Sequence, residues 1–192
     1  MRTPEPIGDP DPVIRACPVG TQIDTQQGPW GLATATFDSV RAYRFRLSRV
    51  WDPSLRRVNF VMLNPSTADA FKLDPTVRRC IGFARHWQAG SVEVTNAYAY
   101  RSTAPAGLRE VADPVGFGND DALVAAALAA DLVIVAWGVH ATYLGREAVV
   151  RTLLADAGVA PHYLALTKDG HPGHPLYLSG AAQPQPWRAL RV

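Results

Sequence analysis

The feature that most constrains the fold is a series of four short apolar runs separated by segments with helical periodicity. The runs cover residues 58–63, 91–96, 131–137 and 162–167. Each has the length of a strand, and an almost wholly apolar strand is typical of one that is covered on both faces. Strands that alternate with helices at crossover distances predict a parallel sheet with helices on both sides.

The segments between these runs carry helix signals. Residues 75–88, 119–130 and 143–157 are the three predicted helices. Asp74 and Asn119 stand where short acceptors cap a helix N-terminus, and Gly90 and Gly158 stand just past helix ends, where glycine is favoured. We therefore expect each connection between consecutive strands to be a helical crossover.

Residues 40–51 show a different pattern, because apolar and polar side chains alternate there. Tyr43, Phe45 and Leu47 alternate with Arg44 and Arg46, which is the period-2 signature of a half-buried strand. The arginines of this region can be the solvated face of a hairpin or a phosphate-binding cluster, and the hairpin face is the simpler interpretation. They are Arg41, Arg44, Arg46, Arg49, Arg56 and Arg57.

Two regions are expected along the chain. Residues 1–28 are rich in proline and polar residues and predict a loosely packed N-terminal arm, and residues 29–192 predict one α/β domain. The predicted architecture is a three-layer sandwich around a central, mainly parallel four-stranded sheet, with an N-terminal β-hairpin.

Composition and motifs exclude several classes of protein. The net charge of +2 is too small to argue for nucleic acid and leaves the partner open, and no apolar run has the length of a membrane span. The N-terminus lacks a secretory pattern, so a cytoplasmic location is expected and no membrane partner. Cys17 and Cys80 match no disulfide or metal framework and are interpreted as free thiols. Phosphate-loop and dinucleotide motifs are absent, and no cofactor is predicted.

Polar residues follow the apolar runs, where the ligand crevice of an open α/β sheet lies. Asn64, Pro65 and Ser66 end the first run, and Asn96 ends the second. Asn64 can direct a carbonyl oxygen at a water molecule or can simply form a turn with Pro65. Asn96 offers the donors and acceptor that suit a nucleobase edge, or it can satisfy loop backbone groups.

Other candidates lie nearby in the sequence. Asp69 is the nearest carboxylate and can act as a base, or it can cap the following segment. Arg78 and Arg79 can face a ligand or solvent. His171 and His174 lie in a loop rich in proline and glycine that can fix an imidazole as a proton donor. A metal site at this pair is a weaker interpretation, because no further ligands are evident.

The order of four motifs resembles the uracil-DNA glycosylase superfamily. The motifs are Leu63-Asn64-Pro65-Ser66, Val94-Thr95-Asn96, residues 133–138 and His174-Pro175-Leu176. More closely, residues 41–187 resemble an uncharacterised domain-of-unknown-function family of bacteria and phages with Asn-Pro-Ser-Thr-Ala-Asp and His-Pro-Leu-Tyr motifs. The resemblance implies a glycosylase-like fold for the predicted sheet.

The resemblance also implies roles for individual residues. Asn64 would hold the hydrolytic water, Asn96 would read the base, and His174 would stabilise the base as it leaves with negative charge. Leu176 would wedge into the duplex as a nucleotide flips. An aromatic ring after the first motif would stack on the base, with Phe71 as the first candidate and Tyr98 as the second. Other candidates for substrate contact are Pro65, Ser66, Arg101 and His171.

The predicted function is therefore that of a DNA glycosylase-type hydrolase acting on a modified or damaged base, with DNA or a nucleotide as partner. Asn64, Asp69 and His174 are the predicted catalytic residues, and no metal is required. One alternative is a non-catalytic module that binds a nucleotide or nucleic acid in the same crevice. Another is a metal-dependent phosphohydrolase that uses Asp69, Asp74 and one histidine.

Overall fold

A computed structural model describes residues 20–187, which form an α/β fold around one mixed sheet. In this part of the chain the sheet has eight strands and is packed against three α-helices. The strands are β1 Gln22–Gly28, β2 Gly31–Phe37, β3 Arg44–Val50, β4 Arg57–Met62, β5 Ser91–Asn96, β6 Leu132–Val135, β7 His162–Tyr163 and β8 Gln185–Pro186. The helices are α1 Pro75–His86, α2 Asn119–Leu128 and α3 Arg146–Asp156.

The sheet is larger and more antiparallel than the sequence predicted. Its order is β1-β2-β3-β5-β4-β6-β7-β8. Strands β5, β4, β6 and β7 are parallel to one another through three pairings, and the other four pairings of the sheet are antiparallel. The expectation of a four-stranded central sheet with a separate hairpin is wrong, because β3 pairs with β5 and so joins the hairpin to the sheet. The open edge of β5 offered the backbone groups for this pairing.

The helices lie on both faces of the sheet. One core cluster joins α1 to the side chains of Phe60 and Val94, and a second joins α2 and α3 to Val61 and Val135. Successive residues of a strand point to opposite faces, so Phe60 and Val61 of β4 belong to different clusters. The parallel strands are therefore covered on both sides, which explains their nearly continuous apolar sequence.

The N-terminal region differs from the predicted arm. Residues 22–28 form β1, which pairs with β2 from Gln22–Phe37 to Gly28–Gly31. The reason is a tight turn at Pro29 and Trp30 that brings the polar strand β1 into register with β2. Polar alternation here indicates an edge strand rather than an unstructured segment. Residues 1–19, the remainder of the predicted arm, and Cys17 among them, lie outside the described residues.

The arginines of β3 are buried, contrary to the solvated hairpin face that the alternation favoured. Arg44, Arg46 and Arg49 are each no more than 5% exposed. Arg46 pairs with Glu93 on the neighbouring β5, whereas Arg44 and Arg49 lie under residues 64–74. Both faces of β3 are covered, and the period-2 pattern alone could not show this.

The predicted helix ends are confirmed in part. Asp74 Oδ1 accepts a hydrogen bond from the Val77 N–H at 2.8 Å, as expected of an N-cap. Gly158 follows α3 with φ of 71°. Asn119 is not a cap, because Gly118 holds that position and the Asn119 side chain is buried against the end of β5. Strand β7 is also shorter than the predicted 162–167 run.

No helix in residues 20–187 combines the length and apolar character needed to cross a bilayer.

Candidate functional site

The carboxyl ends of the parallel strands meet at a point where the strand order reverses. From β4 the chain crosses through α1 to β5 on one side, and then through α2 to β6 on the other side of β4. Such a reversal opens a crevice beyond the strand ends, because the loops leaving the two central strands diverge to opposite faces. Asn64 follows β4, and Gly138 follows β6 at this edge.

The Asn64 side chain is fixed by two backbone carbonyl groups. Its Nδ2 donates to the Pro65 oxygen at 3.1 Å and to the Ser102 oxygen at 2.8 Å. Two acceptors on one side of the amide define which atom is nitrogen. Oδ1 accepts no hydrogen bond from any residue in 20–187. A half-buried amide therefore presents an available carbonyl oxygen at the end of β4.

Hydrogen bonds of Pro65, Ser66 and Arg101 hold the turn that carries the Asn64 amide. The Pro65 oxygen also accepts from the Ser102 N–H at 2.9 Å, so the Asn64 turn is tied to the loop after β5. Arg101 donates from Nε to the Ser66 oxygen and from Nη1 to the Arg41 oxygen at 3.1 Å. These bonds place Arg101 beside the turn, with its guanidinium 5.2 Å from the centre of the Phe37 ring.

Of the two roles that the sequence allowed for Asp69, a base or a cap, the structure shows the contacts of a cap. Its Oδ1 accepts from the Phe71 N–H at 2.8 Å and from the Lys72 N–H at 2.7 Å. Its own N–H donates to the Lys72 oxygen. This is the capping role, in which a short acid closes a turn with its own backbone.

Asn96 is enclosed at the end of β5. Its side chain is 1% exposed, and its Nδ2 has no hydrogen-bond partner among the described residues. Its backbone oxygen accepts from Asn119 Nδ2 at 3.0 Å, and the adjacent Ala97 oxygen accepts from Arg146 Nε at 2.6 Å. A buried amide without a partner is costly, and because its Nδ2 is itself buried, Asn96 does not present this donor at the surface as Asn64 presents its oxygen.

His174 lies beside the N-terminus of α1. Burial lowers the pKa of its imidazole, and the charge of Asp74 opposes that effect. Its Nδ1 accepts from the Leu176 N–H at 3.4 Å, so a neutral ring carries its proton on Nε2. The Gly138 N–H donates to the Pro172 oxygen at 2.7 Å, which attaches the His174 loop to the end of β6.

His171 has a different environment from His174. Its Nδ1 lies 2.7 Å from Glu147 Oε2, at the start of α3. The described residues contain no group of three or more His, Cys, Asp and Glu side chains that could hold a metal ion. The phosphohydrolase alternative gains no support from this geometry, because Asp69 and Asp74 both accept backbone N–H groups.

The aromatic candidates have separate positions. Tyr98 is completely buried under α2 and α3, and its hydroxyl donates to the Tyr143 oxygen. Burial raises the pKa of Tyr98 to about 12. Tyr98 therefore cannot stack on a substrate, and this prediction is corrected. Phe71 is 63% exposed, but it faces a cavity that does not include Asn64, Asn96 or His174.

Leu176 and Tyr177 stand at the surface next to His174. Leu176 is 38% exposed and Tyr177 is 83% exposed, in a short 3-10 helix, Pro175–Tyr177. The rings of His174 and Tyr177 are 5.6 Å apart between centroids. Leu176 therefore presents an exposed apolar side chain beside His174.

Two buried arginines support the loop of the site and were not identified as site residues from the sequence. Arg44 donates from Nη1 to the Ala68 oxygen at 2.7 Å, and Arg49 donates from Nη2 to the Asp69 oxygen at 2.5 Å. Burial lowers the pKa of Arg44 to about 10. The alternation of residues 40–51 predicts a strand but does not show that its arginine face is covered.

The comparisons with known proteins agree with the family-level interpretation of the sequence. No curated protein and no solved structure gives a significant match. Residues 44–176 match the model of the family described as "Protein of unknown function (DUF1643)". The match begins with the buried Arg44 and ends with Leu176, so it spans the candidate site residues from the first motif to the last. This chain therefore belongs to the DUF1643 family.

Proposed function

We propose that this chain is a hydrolase of the DNA glycosylase type, which cleaves the N-glycosidic bond between a modified or damaged base and its sugar. The reaction adds the oxygen of water to the anomeric carbon as the carbon–nitrogen bond breaks. The base departs with the electron pair of that bond and then gains a proton. The site must therefore hold a water molecule and stabilise negative charge on the base.

The observation that carries this proposal is the orientation of Asn64. Both acceptors of its Nδ2 are backbone carbonyl groups, so the amide cannot rotate without losing two hydrogen bonds. Its free Oδ1 can accept a hydrogen bond from a water molecule and direct the water oxygen toward the anomeric carbon. Fixing a nucleophile in this way lowers the entropic part of the barrier.

His174 suits the second requirement, because a neutral imidazole with its proton on Nε2 is a hydrogen-bond donor. A donor of this kind stabilises an oxygen or nitrogen of the base as negative charge develops there. We also assign reading of the base edge to Asn96 at the end of the adjacent strand, whose Nδ2 is buried and has no partner among the described residues. Reading a base edge with an amide is a standard use of asparagine.

The arrangement of the parallel strands supports the resemblance to uracil-DNA glycosylases. The four parallel strands have the spatial order second, first, third and fourth, and α1 lies on the face opposite α2 and α3. This is a doubly wound arrangement with its switch point beside the first parallel strand. Asn64 follows that strand.

A non-catalytic module that binds a nucleotide or nucleic acid is the second candidate. The engagement of Asp69 favours it, because Oδ1 of the nearest carboxylate already accepts two backbone N–H groups. In that case Asn64, Asn96 and His174 would bind a base without cleaving its bond to the sugar.

An assay of base release separates the two candidates. The protein is incubated with oligonucleotides that carry uracil, hypoxanthine or a bulky modified base, and abasic sites are detected by alkaline strand cleavage. We expect abasic product from at least one substrate, and loss of that product with Asn64→Ala. Binding without abasic product from any substrate would favour the module.

A further inference from the structure

A cavity beside the Asn64 loop has no role in the reaction proposed above. It has a volume of about 520 Å³ and lies on the α1 side of the sheet. Its aromatic walls come from three places in the chain: the β1–β2 turn supplies Trp30, the end of β3 supplies Trp51, and the loop after β4 supplies Phe71. The other lining residues are Gln26, Arg49, Ala70, Leu73, Arg78, Ile81 and Arg85.

The aromatic rings of this cavity are available to a ligand. Phe71 is 63% exposed and Trp30 is 42% exposed. Trp51 is held in place, because its Nε1 donates to the Ala89 oxygen at 2.9 Å. The Trp30 indole lies directly over Gly28, where an added Cβ would come within 2.6 Å of Trp30 Nε1. Glycine at position 28 therefore leaves room for the ring.

The charged side chains that line the cavity are all positive. Arg49, Arg78 and Arg85 line it, and no acidic residue does. Within residues 20–187, no carboxylate lies within ion-pair distance of Arg78 or Arg85. Arg85 instead lies over the Trp51 ring, with its guanidinium carbon 5.2 Å from the centroid. Both exposed guanidinium groups are free to bind an anion at the rim.

We infer that this cavity binds unpaired nucleic acid. Aromatic faces that stack on bases, together with arginines that contact phosphates, are the two components of single-strand binding sites. A volume of this size is typical of a small-ligand pocket and accommodates a nucleotide unit. The bases stack against Trp30 and Phe71, and the phosphates contact Arg78 and Arg85.

This strand site is separate from the crevice at the strand ends. None of Asn64, Asn96 and His174 lines it, and the segment that connects the two places is the loop from Asn64 to Asp74. The inference does not depend on hydrolysis at Asn64, so the strand site can be tested with undamaged nucleic acid.

The test is a fluorescence anisotropy titration of a labelled thymidine oligonucleotide of about twelve residues, with a matching duplex and free thymidine monophosphate as the other ligands. We expect the single strand to bind more tightly than the duplex and the monophosphate. Trp30→Ala and Phe71→Ala should each weaken binding about tenfold, since stacking contributes this much per base. Gly28→Ala should weaken it as well, because it displaces the Trp30 ring without removing it.

The arginines are tested through salt dependence. The double variant Arg78→Gln and Arg85→Gln should lower the slope of log affinity against log salt by about 1.4, the value for two lost phosphate contacts on a single strand. Arg151→Gln is a matched control, because Arg151 lies over Trp187 at 5.1 Å in the same manner as Arg85 over Trp51. Phe117→Ala is the control for Phe71, since Phe117 is 87% exposed elsewhere.

Four results would overturn the strand site: no binding of the oligonucleotide by the wild type, duplex binding as tight as single-strand binding, equal affinity for the monophosphate and the oligonucleotide, or equal losses in the control variants. Circular dichroism and thermal unfolding establish that each variant is folded. The titration uses undamaged nucleic acid, from which no base is released, so failure of the strand site and failure of the proposed hydrolysis are distinguishable.

Discussion

Arg44 lies buried beneath the loop that carries Asn64 and donates from Nη1 to the Ala68 carbonyl oxygen at 2.7 Å. In residues 20–187 no carboxylate lies within ion-pair distance of this guanidinium, and its Nε has no partner. A buried charge without a counter-ion costs free energy, and proteins generally avoid one. The contact indicates that Arg44 positions the loop.

Replacing Arg44 should therefore loosen the loop. With Arg44→Met, we expect the amide hydrogens of Phe71 and Lys72 to exchange about 10- to 100-fold faster, because the loop loses a hydrogen bond to a charged donor. Hydrogen–deuterium exchange followed by mass spectrometry measures this. Arg146→Met, which removes another buried arginine, should leave these two amides unchanged relative to the rest of the protein; equal acceleration in both variants would contradict the prediction.

Arg146 connects α3 to the end of β5. It donates to the Ala97 oxygen and forms an ion pair with Asp120, whose side chain is 40% exposed. Arg146→Met should lower the free energy of unfolding by about 2–4 kcal/mol, because the buried Ala97 oxygen loses its guanidinium donor and Asp120 loses its partner. Urea denaturation measures the change. Asp120→Asn should cost less, since that partner is partly in solvent, and the opposite ranking would contradict this account.

His174 should make stability depend on pH below neutrality. Burial lowers the pKa of its imidazole in the folded state, so the unfolded chain binds a proton more readily. The stabilising contribution is complete above the ordinary histidine pKa of about 6.5 and is lost as the pH falls through the lower folded value. Denaturation curves between pH 7.5 and about pH 5 should show this loss, reduced in His174→Asn. An identical pH dependence in the variant would contradict the assignment.

Gly138 is required for backbone geometry at the end of β6. Its φ is 71° and its ψ is −164°, a combination that only glycine adopts readily. An added Cβ would meet no atom within 4 Å, so the cost of Gly138→Ala is backbone strain alone, about 1–3 kcal/mol of unfolding free energy.

Gly82 is the matched control for this substitution. It lies on the exposed face of α1 and also has open space at the Cβ position. Gly82→Ala should stabilise the protein by about 0.5–1 kcal/mol, because alanine is the better helix residue. Thermal unfolding of both variants checks the pair, and destabilisation by Gly82→Ala or none by Gly138→Ala would contradict the argument.

The sequence predicted the parallel strands and the helices well because their signals are local. Apolar runs marked β4, β5 and β6, and Asp74 marked the start of α1. Pairing partners are not local, and so the antiparallel contact between β3 and β5 could not be predicted. The polar strand β1 also lacked the apolar pattern that identifies a covered strand.

The candidate site was predictable only to the level of strand ends. The position of Asn64 followed from the end of an apolar run. Its orientation did not, because one of the two carbonyl groups that hold its amide belongs to Ser102, which is distant in the sequence. Arg44 was misinterpreted because alternation does not show what covers each face. Tyr98 was misplaced because the residues after β5 turn into the core cluster that α2 and α3 cover.

The single-turnover rate of base release by Asn64→Ala tests the proposed function most directly. The substrate is whichever modified oligonucleotide gives abasic product with the wild type, and Thr67→Ala is the control, since Thr67 is exposed in the same loop. We predict a loss of at least about 100-fold in the Asn64 variant, with substrate binding and folding retained and with Thr67→Ala unaffected. A rate for Asn64→Ala equal to that of the wild type would contradict the account.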